Sequence, residues 1–261
     1  MAVTTPSITQ NGRFEPFELQ VSRGQVFGHQ NVTIFGYNPD VDTSRVTVWP
    51  HTGILPLPPA ALQMKVSSSS ADDTAAGTGA RTVFVGGLDA NHNQISETVT
   101  LNGQTAVLTV NSYLHINSAY VATTGSGLSA AGDIYFGDGV VTAGVPATVY
   151  DLIKFDYNSR ITGSYTIPAG YTGYVSQGLF SAGQPGGSAQ VSGRLMTIGV
   201  DGVRRTAAIT TVNNGVAEYL FEYPLMIPEK TTLEATAQGS SSNNSASSMF
   251  IILLIKNDGS L

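Results

Sequence analysis

The strongest constraint on the fold of this chain is a series of short segments in which apolar and polar residues alternate and which end at glycine, proline or asparagine. The segment 95–101 shows the pattern clearly, with Ile95, Glu97, Val99 and Leu101 on one face of a strand and Ser96, Thr98 and Thr100 on the other. No stretch longer than two turns shows the period of an amphipathic helix. The pattern therefore predicts an all-β protein of antiparallel strands, in which any helix is short.

The segment 67–103 has the clearest organisation in the chain. Ser67 to Gly79 consists mainly of small polar residues that cannot build a core of their own, so we expect an ordered connection there. Arg81 to Leu101 predicts a β-hairpin whose turn lies within residues 88–93. We expect this hairpin to be the centre of a first β domain.

Composition narrows the class of protein further. Only 11% of the 261 residues are charged, whereas 41% are hydrophobic, 29 are glycine and the net charge is −6. Disordered chains combine low hydrophobicity with high charge, so a compact β protein with many turns fits better. A surface so poor in charge indicates that partners cover much of it. The alternative is a monomer that Ser, Thr and Asn keep in solution.

Several partners and compartments are disfavoured by the same features. A pI near 5.1 disfavours a nucleic-acid binder, which needs a basic face. There are no cysteines, so disulfides and thiolate metal sites are excluded. The first residues lack the charged and apolar regions of a signal peptide, and the longest apolar run, 249–255, is too short to span a bilayer. We expect synthesis in a cytoplasm, no nucleic acid and no membrane.

The N-terminal region suggests contact between subunits. Residues 1–13 are polar and predict a flexible or partner-bound arm. The following segment, 14–35, is rich in aromatic residues and glycine, and it is either a pair of core strands or an extended arm that docks onto a neighbouring subunit. Its candidate subunit-contact residues are Phe14, Phe17, Phe27 and Phe35.

Further local patterns give testable expectations. Tyr37 to Asp42 predicts a turn and only imitates the start of a calcium loop, since Thr43 replaces the required glycine. We predict strands at 106–110 and 113–116, a hairpin loop at Gly125 to Gly127, and a loop at 138–150. Trp49 is expected in a core, with a sugar-stacking platform as the alternative. The continuously apolar strand 249–255 should lie in the middle of a sheet with both faces covered, or in a subunit interface.

No pattern of catalytic or metal-binding residues is found. The four histidines, His29, His51, His92 and His115, stand singly, and no phosphate-loop, zinc-protease or serine-elbow motif occurs. Asp72 with Asp73, or Asp133 with Asp138, could in principle serve a glycosidase, but aspartate in glycine-rich loops is usually a turn residue. We therefore expect no enzyme activity, no metal and no cofactor.

Several segments resemble virion structural proteins of tailed bacteriophages. They are 23–29, 35–42, 47–50, 74–81 and 87–89, and in the second half 165–170 and 227–231, which are similar to the jelly-roll halves of such proteins. The resemblance covers most of the chain from Phe14 on and consists of turn-and-strand motifs, so it carries over no functional residues. It implies a structural role, with head decoration as the first choice and a neck, tail or fibre component as the second.

Together these features predict an antiparallel β-sandwich or jelly roll arranged as two stacked β domains with an extended N-terminal arm. The expected segments are 1–45 for the arm and first strands, 46–150 for the first domain and 151–261 for a jelly-roll-like domain. The leading hypothesis is a homotrimeric capsid decoration or cement protein that binds itself and the major capsid protein on the capsid surface. The alternatives are a glycan- or receptor-binding tail module and, less favoured, a β-sandwich hydrolase that acts on polysaccharide.

Overall fold

The computed structural model describes residues 9–10, 13–183 and 189–257, and these form an all-β protein with antiparallel sheets. The first elements are β1 (Thr9–Gln10), β2 (Arg13–Phe14), α1 (Phe17–Ser22), β3 (His29–Val41) and β4 (Val46–Thr47). Next come β5 (Leu62–Ser68), β6 (Ala80–Leu88), β7 (Gln94–Thr100), β8 (Val107–Tyr113), β9 (His115–Thr124), β10 (Ile134–Thr142) and β11 (Val145–Ile153). The last are β12 (Ser164–Thr166), β13 (Tyr171–Gly183), β14 (Val191–Ile198), β15 (Arg204–Val212), β16 (Gly215–Ile227), β17 (Thr232–Gly239) and β18 (Asn244–Lys256).

Two sheets form a sandwich. The first has the order β16-β13-β18-β3, and the second has the order β12-β17-β14-β15, with β4 also paired to β17. Their inner faces share one core, to which β18 contributes Phe250, Ile252 and Leu254 and β17 contributes Leu233 and Ala235. Strands from both ends of the chain therefore meet in this core, because β3 and β4 pack with β12 to β18.

The strands β5 to β11 form a second unit, which lies in sequence between β4 and β12. Its sheets have the orders β11-β10-β5-β8 and β7-β6-β9, and they enclose a separate apolar core that includes Val83, Val85, Tyr113 and Phe136. We call residues 62–153 the inserted unit. The boundary expected at residue 150 lies inside β11, and the expected arm segment 1–45 contains β3, a full strand of the sandwich.

Several expectations are confirmed. The hairpin predicted for 81–101 is β6 and β7, and Asp89 closes its turn by accepting hydrogen bonds from the backbone N–H groups of Asn91 and Asn93, each at 2.8 Å. Trp49 is buried, and its indole N–H donates to the Gly53 carbonyl at 3.0 Å. The predicted last strand is β18, and it lies between β13 and β3 in the middle of its sheet.

Other local expectations are wrong. The turn predicted at 37–42 is part of β3: Pro39 and Asp40 form a bulge on this edge strand, where a missing backbone N–H does no harm. The loop predicted at 138–150 is the hairpin of β10 and β11, which turns at Ala143 and Gly144 with positive φ. Glycine and threonine in this segment favour a loop, but pairing with the neighbouring strand keeps their backbone extended.

Two further boundaries differ from the predicted ones. Asn111 and Ser112 belong to β8, and Leu114 separates β8 from β9. The glycine-rich segment 125–127 is not a hairpin loop, because β9 and β10 belong to different sheets. It packs instead on the loop before β6, where Gly125 and Gly127 donate backbone hydrogen bonds to the Gly79 and Thr78 carbonyls.

The serine-rich connection is ordered by one buried acid. Ser67 and Ser68 belong to β5, and Asp73 lies in the loop that follows with no exposed surface. Its carboxylate accepts hydrogen bonds from the Ser68 hydroxyl and from the backbone N–H groups of Ala80, Ala131 and Gly132 at 2.5–3.0 Å. A buried carboxylate needs several donors, so this loop is tied to the start of β6 and to the segment before β10.

Candidate functional site

The predicted contact residues of the N-terminal region lie in different settings. Phe17 begins α1 and packs edge-on against His29, with ring centroids 5.7 Å apart. Phe27 is 68% exposed, and the Lys256 amino group lies 5.8 Å from its ring centroid. Phe35 lies on β3 and is 56% exposed. The side chain of Phe14 and most of the predicted arm 1–13 lie outside the described residues. Whether these phenylalanines contact a neighbour stays a prediction.

The outer side of the first sheet is apolar, and we call it the open face. Strand register places the residues of directly paired positions on the same side of a sheet, so the outward residues follow from the pairs of β18 with β13 and β3 and of β13 with β16. The apolar ones are Phe35, Tyr174, Leu179, Val216, Leu220, Met226, Met249, Ile251, Leu253 and Ile255.

Exposure on the open face is highest along the edge strand β16. Leu220 is 77% exposed and Met226 is 60% exposed, whereas Ile251 and Leu253 in the central strand are half-buried among their neighbours. Glu218 is the charged residue among the outward positions of the paired strands. Within the described residues α1 lies against the start of β3, where Ser22 accepts a hydrogen bond from the Asn31 amide at 3.2 Å. The rest of this face is not packed against another described sheet.

The outer side of the second sheet contains buried polar side chains beside the buried Met196 and Ile198, and we call it the covered face. Glu234 of β17 is 1% exposed and accepts hydrogen bonds from two residues of the same sheet, from the Thr47 hydroxyl at 2.5 Å and from Arg204 at 2.8 Å. The Asn117 amide of the inserted unit exchanges two hydrogen bonds with the backbone of Thr166 on β12, at 2.8 and 2.9 Å. An apolar cluster also joins the inserted unit to the segment after β4, and its members are Trp49, Leu55, Tyr135, Val149 and Leu152.

A pair of histidines lies where the inserted unit meets the sandwich. The rings of His92 and His115 are 5.5 Å apart, and the His92 carbonyl accepts a hydrogen bond from the Ala169 N–H. Burial, together with a smaller contribution from its neighbour His92, lowers the pKa of His115 to about 4. Burial and then the nearby Lys230 lower the pKa of His92. Both rings are therefore neutral near pH 7.

A groove of about 560 Å³ runs between the edge of β3 and the sheet β7-β6-β9. Its lining includes Thr33 of β3 and Phe84, Gln94, Ser96 and Ser118 of the inserted unit, and none of its lining residues is charged. The Phe84 ring stacks on Tyr120 with centroids 4.8 Å apart.

Three of the four acids that could have served a glycosidase are engaged in structural contacts, and the fourth, Asp72, is exposed. Asp73 holds its loop, and Asp133 binds the Lys154 amino group at 2.8 Å and the Phe155 N–H. Asp138 lies 3.7 Å from the Lys65 amino group. In residues 13–183 and 189–257 no cluster of three or more metal-ligating side chains occurs, and no helix there has the length and apolar character to cross a bilayer.

No protein-family model and no curated protein matches the sequence. Among solved structures, the chain is similar to one of infectious bursal disease virus, Gx strain, with 10% identity and a TM-score of 0.24 over 89% of this chain and 74% of that chain. It is also similar to the infectious bursal disease virus VP2 subviral particle, with 12% identity and a TM-score of 0.24 over 88% of this chain and 71% of that one. The PBSX exported protein XepA gives 11% identity and a TM-score of 0.19 over 85% and 84%. At these TM-scores the likeness carries no argument.

Sequence reasoning identified part of the open face and missed the rest. The continuous apolar run of β18 predicted two apolar faces, one of which is now the open face. Strand β16 also alternates, but Leu220 and Met226 could not be separated from core residues without the register that turns them outward. No local sequence pattern indicated the covered face, because its contacting residues Thr47 and Glu234 are 187 positions apart in the chain.

Proposed function

We propose that this chain is a non-enzymatic structural protein of a tailed-bacteriophage virion, and specifically a decoration or cement protein on the outside of the head. In this role it is made in the host cytoplasm, forms a homotrimer and binds the major capsid protein. The open face is the observation that carries the proposal. The sequence resemblance adds the particle type, since it indicates virion structural proteins.

The strand order supports a jelly roll as the building block. We assign β3, β4 and β13 to β18 as its eight strands, four in each sheet, with β12 as an extra strand beside β17. The chain then passes repeatedly between the two sheets, as in a jelly roll made of two Greek keys. In this assignment the inserted unit lies between the second and third strands and projects from the covered face.

The physical argument for a partner on the open face is its size and composition. Four strands about 4.8 Å apart and about eight residues long give a footprint of about 500 Å². A stable interface takes about 800 Å² from each partner, so this face can supply more than half of one. An apolar surface of this size on a monomer marks an interaction site or an aggregation hazard. Burial of it in an oligomer or on a capsid shell removes the hazard.

The alternative is a tail, neck or fibre component with a glycan- or receptor-binding jelly roll. The observation that favours it is the uncharged groove with Phe84, Gln94 and Ser96, because sugar sites combine an aromatic ring with neutral hydrogen-bonding groups. Separation of phage heads from tails distinguishes the two roles. Recovery with the tails would contradict the decoration role and support the alternative.

Substitution of lysine for apolar residues of the open face tests whether this face is an interface. We expect Leu220→Lys combined with Met226→Lys to convert the oligomer to a monomer in analytical ultracentrifugation, because two lysines would be buried unpaired in the interface. The amount of the double variant that stays bound to purified phage heads should fall at least tenfold. The monomer's unfolding free energy should change by less than about 0.5 kcal/mol, since both positions are exposed.

Val110→Lys provides the matched control. Val110 is 83% exposed but lies on β8 of the inserted unit, away from the open face. This variant should assemble as the unaltered protein does. If the double variant also kept its oligomeric state and bound heads normally, the open face would not be the interface.

A further inference from the structure

Along the free edge of β3, a row of backbone groups has no partner among the described residues. The Lys256 N–H donates to the Gly28 carbonyl at 2.9 Å, which makes residues 28, 30, 32, 34 and 36 the ones whose backbone groups point toward β18. The odd-numbered residues therefore point away from β18. Hydrogen bonds of two odd-numbered residues show the same direction. The His29 N–H donates to the Val26 carbonyl, and the Tyr37 N–H donates to the Ile161 carbonyl.

Between these two anchored positions the edge is open. Asn31, Thr33 and Phe35 each direct one N–H and one C=O outward, and within the described residues β3 has no strand partner on that side. Repeats of two residues along a strand are about 6.6 Å apart, which is the spacing at which an added strand forms its hydrogen bonds. An open stretch with these groups is a template for strand addition.

The groove supplies the space beside this edge. It is lined by Val32, Thr33 and Ile34 on one side and by the sheet β7-β6-β9 on the other, with a volume of about 560 Å³. Gly86 and Gly87 form part of its wall, and a side chain at Gly87 would come within 2.1 Å of the His115 carbonyl oxygen. The absence of charged lining residues disfavours an occupant with charged side chains, which would lose hydration without gaining a partner.

We propose that this groove binds an extended polypeptide segment with uncharged side chains from a neighbouring virion subunit, and that the segment adds to β3 as a further strand. The inference rests on the proposed virion role, but it concerns the backbone edge of β3 and the groove beside it, and not the side chains of the open face. Main-chain hydrogen bonds to Asn31, Thr33 and Phe35 supply affinity, and the groove selects side chains by size and lack of charge.

Hydrogen exchange tests the proposal at single residues. In the free protein the amides of Thr33 and Phe35 should exchange fast, and in the assembled particle they should slow at least 100-fold. The Ile34 amide, which faces β18, should be slow in both states and serves as the internal control. Unchanged exchange of Thr33 and Phe35 in a particle that contains the protein would overturn the groove proposal alone. Absence of the protein from the particle would overturn the virion role instead.

A pair of variants at one position separates the backbone from the side chain. Thr33→Pro removes the outward N–H and fits an edge strand, because no bond to β18 is lost. Thr33→Ala keeps the N–H. In competition for incorporation into particles, Thr33→Pro should be about tenfold weaker than the unaltered protein, and Thr33→Ala should be equal to it. Equal incorporation of both variants would contradict strand addition.

A saccharide is the competing occupant. Neutral oligosaccharides such as cellohexaose and maltoheptaose should leave the exchange of Thr33 and Phe35 unchanged in the free protein. Protection of these amides by either sugar at millimolar concentration would overturn the polypeptide assignment and make the groove a glycan site.

Discussion

The two outer faces of the sandwich differ in a way that inverts the usual rule. The covered face contains a buried acid, Glu234, which contacts Thr47 and Arg204 and lies beside the buried Met196. The open face is apolar, with Leu220, Met226 and Ile251, and no described sheet packs on it. An isolated domain would be expected to bury the apolar face and to leave the polar one in water.

The difference separates contacts that the chain makes with itself from a surface that it leaves open. A buried carboxylate is stable only when its donors are in place, so Thr47 and Arg204 hold Glu234 within the second sheet. The inserted unit is tied to the sandwich through Asn117 and the backbone of Thr166. Apolar contact is non-directional, which suits the subunit contact that we propose for the open face.

The largest difference in stability is expected between alanine variants on the two sides of β18. Phe250→Ala should lower the unfolding free energy of the monomer by about 4 kcal/mol, because Phe250 is 2% exposed in the sandwich core. Its neighbour on the open face, Ile251→Ala, should cost about 1 kcal/mol in the monomer but weaken the oligomer. Urea unfolding at a concentration where the protein is monomeric measures both. Equal losses in the monomer would mean that both sides of β18 are equally packed.

The stability of the folded protein should depend on the ion pair of the covered face, between Arg204 and Glu234. Arg204→Met is expected to cost about 3 kcal/mol, because it leaves Glu234 buried without its cation. Arg205→Met is the control, since Arg205 binds the exposed Asp201 on the surface, and it should leave the urea midpoint unchanged. Urea unfolding of both variants at pH 7 measures the difference. A near-zero effect of Arg204→Met would show that Thr47 alone suffices to hold Glu234.

A smaller loss of folding stability is expected at low pH. The folded pKa of His115 lies near 4, below its ordinary value of 6.5, so the unfolded chain binds a proton between these pH values and the folded chain does not. Stability from this histidine is complete above pH 6.5 and is lost as the pH falls toward 4. Between pH 7 and pH 4.5 the loss should be about 2 to 3 kcal/mol. His92, with its lowered pKa, acts in the same direction.

One variant separates this contribution from that of the carboxylates. Relative to the unaltered protein, His115→Gln should reduce the difference in unfolding free energy between pH 7 and pH 4.5. Urea midpoints of the two proteins at the two pH values measure this difference. If His115→Gln kept the full pH dependence, the histidine pair would not be responsible for it.

Much of the local structure could be predicted, since it is decided by neighbours in sequence. The hairpin of β6 and β7 follows from alternation and from Asp89 in its turn, and the central position of β18 in its sheet follows from its continuous apolar run. The errors at Tyr37 to Asp42 and at 138–150 have a common cause. Turn-forming residues predict turns there, but pairing with another strand holds the backbone extended: with the distant β18 in the first segment, and between β10 and β11 of one hairpin in the second.

By itself, the sequence determined the all-β class, the positions of most strands and the presence of one strand with two apolar faces. Only the tertiary structure decided that β3 joins the C-terminal strands, that the inserted unit covers the polar face, and that the groove beside Thr33 exists. The physical reason is distance along the chain. Alternation tells which residues share a face of one strand, but the pairing of β3 with β18 joins residues about two hundred positions apart, and no local pattern specifies that choice.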